Sequence, residues 1–178
     1  MTSRSLMVLV GAAALVGFAA APVSAQTFRL TATLNGANEP VIQAPQVVPG
    51  INTGAFGDAV VIVNMTARTV TYTVNVFNLP SGVTASHIHA GAAGTAGPVV
   101  VNFAPPTNAS NDFSFTGTVR DTEFLLRPDQ GIRSADDMFQ AILGGNSYVN
   151  VHSAVNPVGE IRGQLIVSGS STPVVPHE

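Results

Sequence analysis

Val70-Thr71-Tyr72-Thr73-Val74-Asn75-Val76 alternates apolar and polar residues without a break. Successive side chains of an extended chain point to opposite faces, so a period of two predicts a strand with one face in a core and the other in water. Phe28-Arg29-Leu30-Thr31-Ala32-Thr33-Leu34 repeats the pattern. Residues 59–63 and 99–103 are more continuous apolar runs, and Phe113-Ser114-Phe115-Thr116 alternates again, each bounded by Gly, Pro or Asn. Many short strands punctuated by turn formers imply an all-β, antiparallel Greek-key sandwich or barrel. One short helix is expected from Ser134 to Leu143. Ser134 serves as N-cap, Asp136 and Asp137 sit in the first turn, Met138, Ile142 and Leu143 are apolar, and Gly144 is the stop. Adjacent residues on a helix point in different directions, so the two aspartates read as capping groups and not as a catalytic dyad.

The 178 residues are 46% hydrophobic and 10% charged, enough to bury the core of one domain. All seven basic residues are Arg and the net charge is -3, so no field exists to concentrate a polyanion, and nucleic acid is excluded as a partner. The lack of Lys removes Schiff-base chemistry and a phosphate-loop lysine. The lack of Cys removes thiol nucleophiles, thiolate metal sites and disulfides. Residues 1–25 read as a secretory signal: Arg4 gives the positive start, an apolar stretch follows, and Val23-Ser24-Ala25 is a small-residue cleavage site. Cleavage leaves Gln26 first, with no stable membrane anchor, and places the chain in the periplasm or outside the cell. Residues 168–178, rich in Ser with two prolines, read as a flexible tail with a solvated His177.

The chemistry concentrates in Ala85-Ser86-His87-Ile88-His89-Ala90-Gly91. Residues two apart on a strand share a face about 6.5–7 Å apart at Cα, so His87 and His89 point the same way. Two imidazoles at that spacing can converge on one ion through bonds of about 2.0–2.1 Å. Tyr148-Val149-Asn150-Val151-His152 is a second period-two run, putting Tyr148, Asn150 and His152 on one face, and folding can bring His152 to the pair. Three imidazoles suit copper or zinc and not calcium or magnesium, which take oxygen. A second reading of the same residues makes them structural histidines that satisfy turn carbonyls or hydroxyls. Ser86 and Ser153 flank histidines but point to opposite faces from them, and no G-x-S-x-G elbow occurs, so acyl transfer is disfavoured. Residues 91–98 lack phosphate-cradle spacing and read as a tight loop. Glu160, Arg162 and Gln164 share a strand face. Glu160 and Arg162 are either a structural pair or, with Tyr148 and Asn150, the rim of the histidine site, where Arg162 would attract a small anion.

These segments carry a resemblance. His87-Ile88-His89-Ala90-Gly91, then Gly97-Pro98-Val99-Val100, then Tyr148-Val149-Asn150-Val151-His152, then Gly159-Glu160-Ile161-Arg162-Gly163-Gln164-Leu165 look, in this order, like the CHRD (chordin) domain family. Ala32-Thr33-Leu34-Asn35-Gly36-Ala37-Asn38-Glu39-Pro40 fits the family's opening, so the likeness runs from about Leu30 to Val167, within a domain of residues 26–167. It implies an exported single-domain module. The cysteine-rich modules that accompany these domains in animal chordin are absent, so growth-factor binding does not transfer. A weaker likeness is to copper-zinc superoxide dismutase, which also uses an H-x-H strand and a later histidine. It implies copper-side positions for His87, His89 and His152, while the bridging histidine, the zinc-side set and the disulfide have no counterparts. Three functions follow as expectations: an extracytoplasmic binding module that holds copper or zinc, a copper-dependent redox enzyme, or a metal-free structural or adhesive protein.

Overall fold

The computed structural model describes residues 26–43 and 46–171. Among the described residues eleven strands run β1 (Thr27–Asn35), β2 (Pro40–Gln43), β3 (Gln46–Pro49), β4 (Phe56–Asn64), β5 (Thr69–Leu79), β6 (Val83–Ala90), β7 (Val99–Asn102), β8 (Asn111–Arg120), β9 (Ser147–Ser153), β10 (Ile161–Gln164) and β11 (Ile166–Ser171). One helix, α1 (Ala135–Leu143), precedes β9. The sheet order is β7-β6-β9-β10-β1-β4-β5-β8, with β11 also pairing β1 and β2-β3 forming a separate hairpin. Every pairing is antiparallel, and the sheet curls into a nearly closed barrel. Of the two all-β architectures the sequence allows, the barrel is the one adopted.

The alternation of β5 appears as expected, with Val70, Tyr72, Val74 and Val76 buried between more exposed neighbours. Their partners across the sheet, Val63, Val61 and Ala59 on β4 and Leu30 and Leu34 on β1, complete an apolar interior. The strands at the two ends of the order, β7 and β8, are joined through residues 103–110, which bridge the seam. Phe103 stacks on Tyr72 at 3.8 Å, and the Ala104 N–H donates to the Tyr72 hydroxyl at 3.0 Å. On the water side of β5 and β8, Thr71 meets Thr118 at 2.9 Å and Thr73 donates to Thr116 at 3.3 Å.

The helix begins and ends where its sequence requires. Ser134 Oγ accepts from the Asp137 N–H at 3.1 Å, and Gly144 caps the far end. Met138, Phe139 and Ile142, spaced on one helical face, are buried, with Phe139 edge-on to Phe124 at 5.3 Å. Asp136 meets Arg68 at 2.8 Å, an ordinary exposed ion pair.

Two expectations change. Residues 168–171, assigned to a flexible tail, continue β11 and pair with β1 from Gly169 opposite Arg29 to Ser171 opposite Thr27. Backbone pairing needs no apolar side chain, which is why Ser-Gly-Ser-Ser hides it. Residues 172–178, with His177, and the signal segment 1–25 lie outside the described residues. Strand β9, expected to be half buried, is buried at every residue. Its core face carries Val149 and Val151, so something covers the opposite face, where the histidines are.

Candidate metal centre

The register of three strands assembles the site. On β6, Ile88 enters the core and its neighbours His87 and His89 face outward. On β9, Asn150 stands opposite His87, Tyr148 opposite His89, and His152 opposite Ala85. On β10, Arg162 stands opposite Asn150 and Gln164 opposite Tyr148. Asn150 therefore lies beside His87, diagonal to His89 and two residues from His152. The residues that cover this face are the loop 91–97, the turn 154–159 and Glu39.

The three ring systems meet. His87 and His152 have ring centroids 4.9 Å apart, His87 and His89 5.5 Å, and His89 and His152 6.1 Å. One nitrogen from each ring lies within 4.8 Å of the others. The proton positions follow from the partners. His89 Nδ1 is 2.8 Å from the Gly97 carbonyl and His152 Nδ1 is 3.0 Å from the Pro157 carbonyl; a carbonyl only accepts, so both nitrogens donate. Each Nε2 then carries a lone pair. His87 Nδ1, at 3.1 Å, donates to His152 Nε2, while His89 Nε2 is buried without a partner. Imidazoles anchored through one N–H to a carbonyl, with the other nitrogen turned inward, are what metal ligation uses. A tetrahedral ion with bonds of about 2.0–2.1 Å sets its nitrogens about 3.3 Å apart. The His87–His152 pair already matches that spacing, and the widest gap in the trio closes by about 1.5 Å around an ion.

Burial holds the rings neutral. It pushes His87 down to about 4, helped by His152 and His89. It also pushes His89 to about 4, against the pull of its bond to Gly97. His152 is lowered by burial too, opposed by its bond to Pro157. Neutral imidazole is the ligating form, so ligation needs no net loss of a proton at neutral pH, only that the His87 hydrogen pass from Nδ1 to Nε2.

The remaining expected residues are close by. Tyr148 stacks on His89 at 4.8 Å and nearly parallel, and its hydroxyl accepts from the Gly97 N–H at 3.0 Å. Arg162, 2% exposed, lays its guanidinium 3.3 Å from the Tyr148 ring centroid. It donates to the Thr95 carbonyl at 2.7 Å and the Ala92 carbonyl at 3.0 Å. Those two bonds fasten the loop 91–97, so Arg162 acts as a buried clamp while it also lines the cleft beside the histidines. Glu160 is fully buried and accepts from Ser153 Oγ and Asn156 Nδ2, both at 2.6 Å. Burial works to raise its carboxyl, and the bonds from Ser153, Thr53 and Asn156 outweigh it, leaving the group below its ordinary value. Gly97 cannot be replaced, because a Cβ there would sit 1.7 Å from the Ala90 carbonyl oxygen.

Sequence reasoning missed Glu39. It follows a short 3-10 turn after β1, is 5% exposed, and accepts from Asn150 Nδ2 through Oε1. Burial raises its carboxyl to about 7, opposed by Arg162 and by the Asn150 bond. With His89, Tyr148, Asn150, Val158 and Arg162 it lines a cleft of about 490 Å³ beside the histidines. The only signal was a Glu in the opening Asn38-Glu39-Pro40, and nothing local tied it to a strand more than a hundred residues on.

A family model described as CHRD domain matches residues 30–165, which holds the H-x-H strand, both later site strands and Glu39. The chain belongs to the CHRD domain family. No curated protein and no solved structure matches it. The matched span of this CHRD domain runs from within β1 to the residue after β10, so it leaves out β11 and includes every side chain of the histidine cluster.

Proposed function

We propose that this CHRD domain is an extracytoplasmic binding module that holds one copper or zinc ion through His87, His89 and His152. The observation that carries the reading is the convergence of three neutral ring nitrogens within 4.8 Å, two of the rings being locked by carbonyls so that Nε2 faces the cluster. The donor chemistry supports copper or zinc, since imidazole suits both and neither calcium nor magnesium. The unpartnered His89 Nε2 favours an ion over a purely structural trio, because a structural trio has no use for a buried lone pair. The leader-like residues 1–25 support export. Binding without turnover is favoured over redox catalysis, because Arg162 commits two of its five N–H groups to holding the loop 91–97, a structural task.

The test is titration of the untagged chain, in a His177→Ala background, with Cu(I), Cu(II) and Zn(II). One ion per chain, lost in His152→Ala and in the His87→Ala/His89→Ala double variant, is the expected result. Equal, weak uptake by all three proteins overturns the reading and returns the histidines to structural roles. Rapid superoxide dismutation by the copper-loaded chain would move the assignment to a redox enzyme.

A further inference from the structure

Three imidazoles leave a tetrahedral ion one donor short, and the sheet places a fourth donor among them. We propose that Asn150 Oδ1 is that donor, aimed by Glu39, so that the protein closes the coordination sphere itself; this rests on the three-histidine reading above.

Asn150 occupies the one strand position adjacent to all three ligands. It is the cross-strand partner of His87, one step diagonal from His89, and two residues from His152 on the same face of β9. Directly opposed residues hold their Cβ atoms about 4.5–5.5 Å apart, within reach of a shared ion. The side chain is 2% exposed, and its Oδ1 has no hydrogen-bond partner. A buried amide oxygen without a partner is destabilising, so its retention calls for a partner, and a cation supplies one.

The amide's orientation is set from the other side. A carboxylate accepts, so Asn150 turns its NH2 toward Glu39 Oε1. Glu39 comes from the turn packed on β10, where Asn38 Nδ2 donates to the Arg162 carbonyl at 3.0 Å. Nδ2 is committed to Glu39, so Oδ1 points away from that carboxylate, and in the proposed site it is set toward β6, the strand that carries His87 and His89. Gly159 keeps this bond uncrowded. Its φ of +140° suits glycine, and a Cβ there would lie 2.7 Å from Asn150 Nδ2 and 2.9 Å from both Glu39 carboxylate oxygens.

Three imidazoles and one amide oxygen make a neutral donor set that suits a divalent ion, zinc or Cu(II), better than Cu(I), which selects soft ligands. Glu39 then stands one hydrogen bond behind a ligand, as outer-shell carboxylates do. A sphere filled by four protein donors leaves no position for water, the arrangement of sites that hold a metal and not of those that activate one.

The experiment compares the full-length chain with Asn150→Ala, Asn150→Asp, Glu39→Gln and His152→Ala. Zinc affinity is measured by chelator competition, and the Co(II) form is titrated with azide while its visible spectrum is followed. The expected results are a wild-type Co(II) spectrum indifferent to azide and zinc affinity weakened about 10–100-fold in Asn150→Ala. The spectrum of Asn150→Ala should respond to azide at the vacated position, and Asn150→Asp should restore affinity through its carboxylate oxygen. A wild-type Co(II) protein that takes up azide overturns the proposal by itself, without needing any variant to fold. So does an Asn150→Ala chain with unchanged zinc affinity, provided that His152→Ala loses the ion; in that case the three-histidine site stands and only the fourth donor falls. A wild type that binds no ion overturns both readings.

Discussion

The outer faces of β5-β8 and of β6-β9-β10 belong to one sheet and obey opposite rules. On the first, every other residue is in water, and threonine hydroxyls satisfy one another across the strands. On the second, loops cover a surface of His, Asn, Tyr and Arg, and β9 is buried on both sides. Apolar residues are the default for a surface buried on both sides. All five buried side-chain atoms without partners among the described residues, on His89, Ser147, Asn150, Glu160 and Gln164, fall on or beside β6, β9 and β10. Ser147 lies on the core side of β9, but the other four are on the histidine side, and a sheet that satisfies its polar groups on one face and leaves acceptors bare on the other has given up stability at the second, the usual mark of a functional surface.

The sharpest way to break this contrast is Arg162→Ala. It frees the Ala92 and Thr95 carbonyls and leaves Glu39 without its neighbouring cation, so urea unfolding should show a loss of about 3–5 kcal/mol. Acid is the next largest probe. His87 and His89 fall from 6.5 to about 4 on folding, so the stability they contribute is full above pH 6.5 and is lost as pH falls from 6.5 toward 4. For these half-buried rings the metal-free chain should lose about 3 kcal/mol over that window, and His87→Phe/His89→Phe should flatten the profile. Glu39 has the opposite sign. Its folded value, about 7, lies above 4.5, so its contribution is full below pH 4.5 and disappears as pH rises through 7. Glu39→Gln keeps an acceptor for Asn150 and should gain about 2 kcal/mol at pH 8 and little at pH 4, read by thermal melts at both. The smallest effect belongs to the solvated face, where Thr73→Ala should stay within about 0.5 kcal/mol of wild type. A Thr73 loss as large as that of Arg162 would erase the distinction between the two faces.

Local pattern carried much of this molecule. The strand at residues 70–76 and the helix between Ser134 and Gly144 were legible because alternation and caps act over a few residues. His87, His89 and His152 were legible because period two fixes which side chains share a face, and β6 and β9 happen to be neighbours. What stayed hidden depends on distant coverage. Glu39 meets Asn150 across 111 residues. Arg162 looks like a surface cation until the loop 91–97 closes over it. Ser168 and Ser170 look like tail residues until β1 offers its backbone.

That last pairing has a kinetic consequence. β1 lies between β4, which follows it closely in the chain, and β10 and β11, which come last; Ser168 reaches Arg29 across 139 residues. The β1-β4-β5 unit, close together in sequence, can form early, but closing the barrel and assembling the histidine cluster must wait for the C-terminal strands. Contacts that distant slow the rate-limiting collapse. A chain emerging N-terminus first from a ribosome therefore stays open until almost all of it is out, and its histidine face is among the last parts to exist.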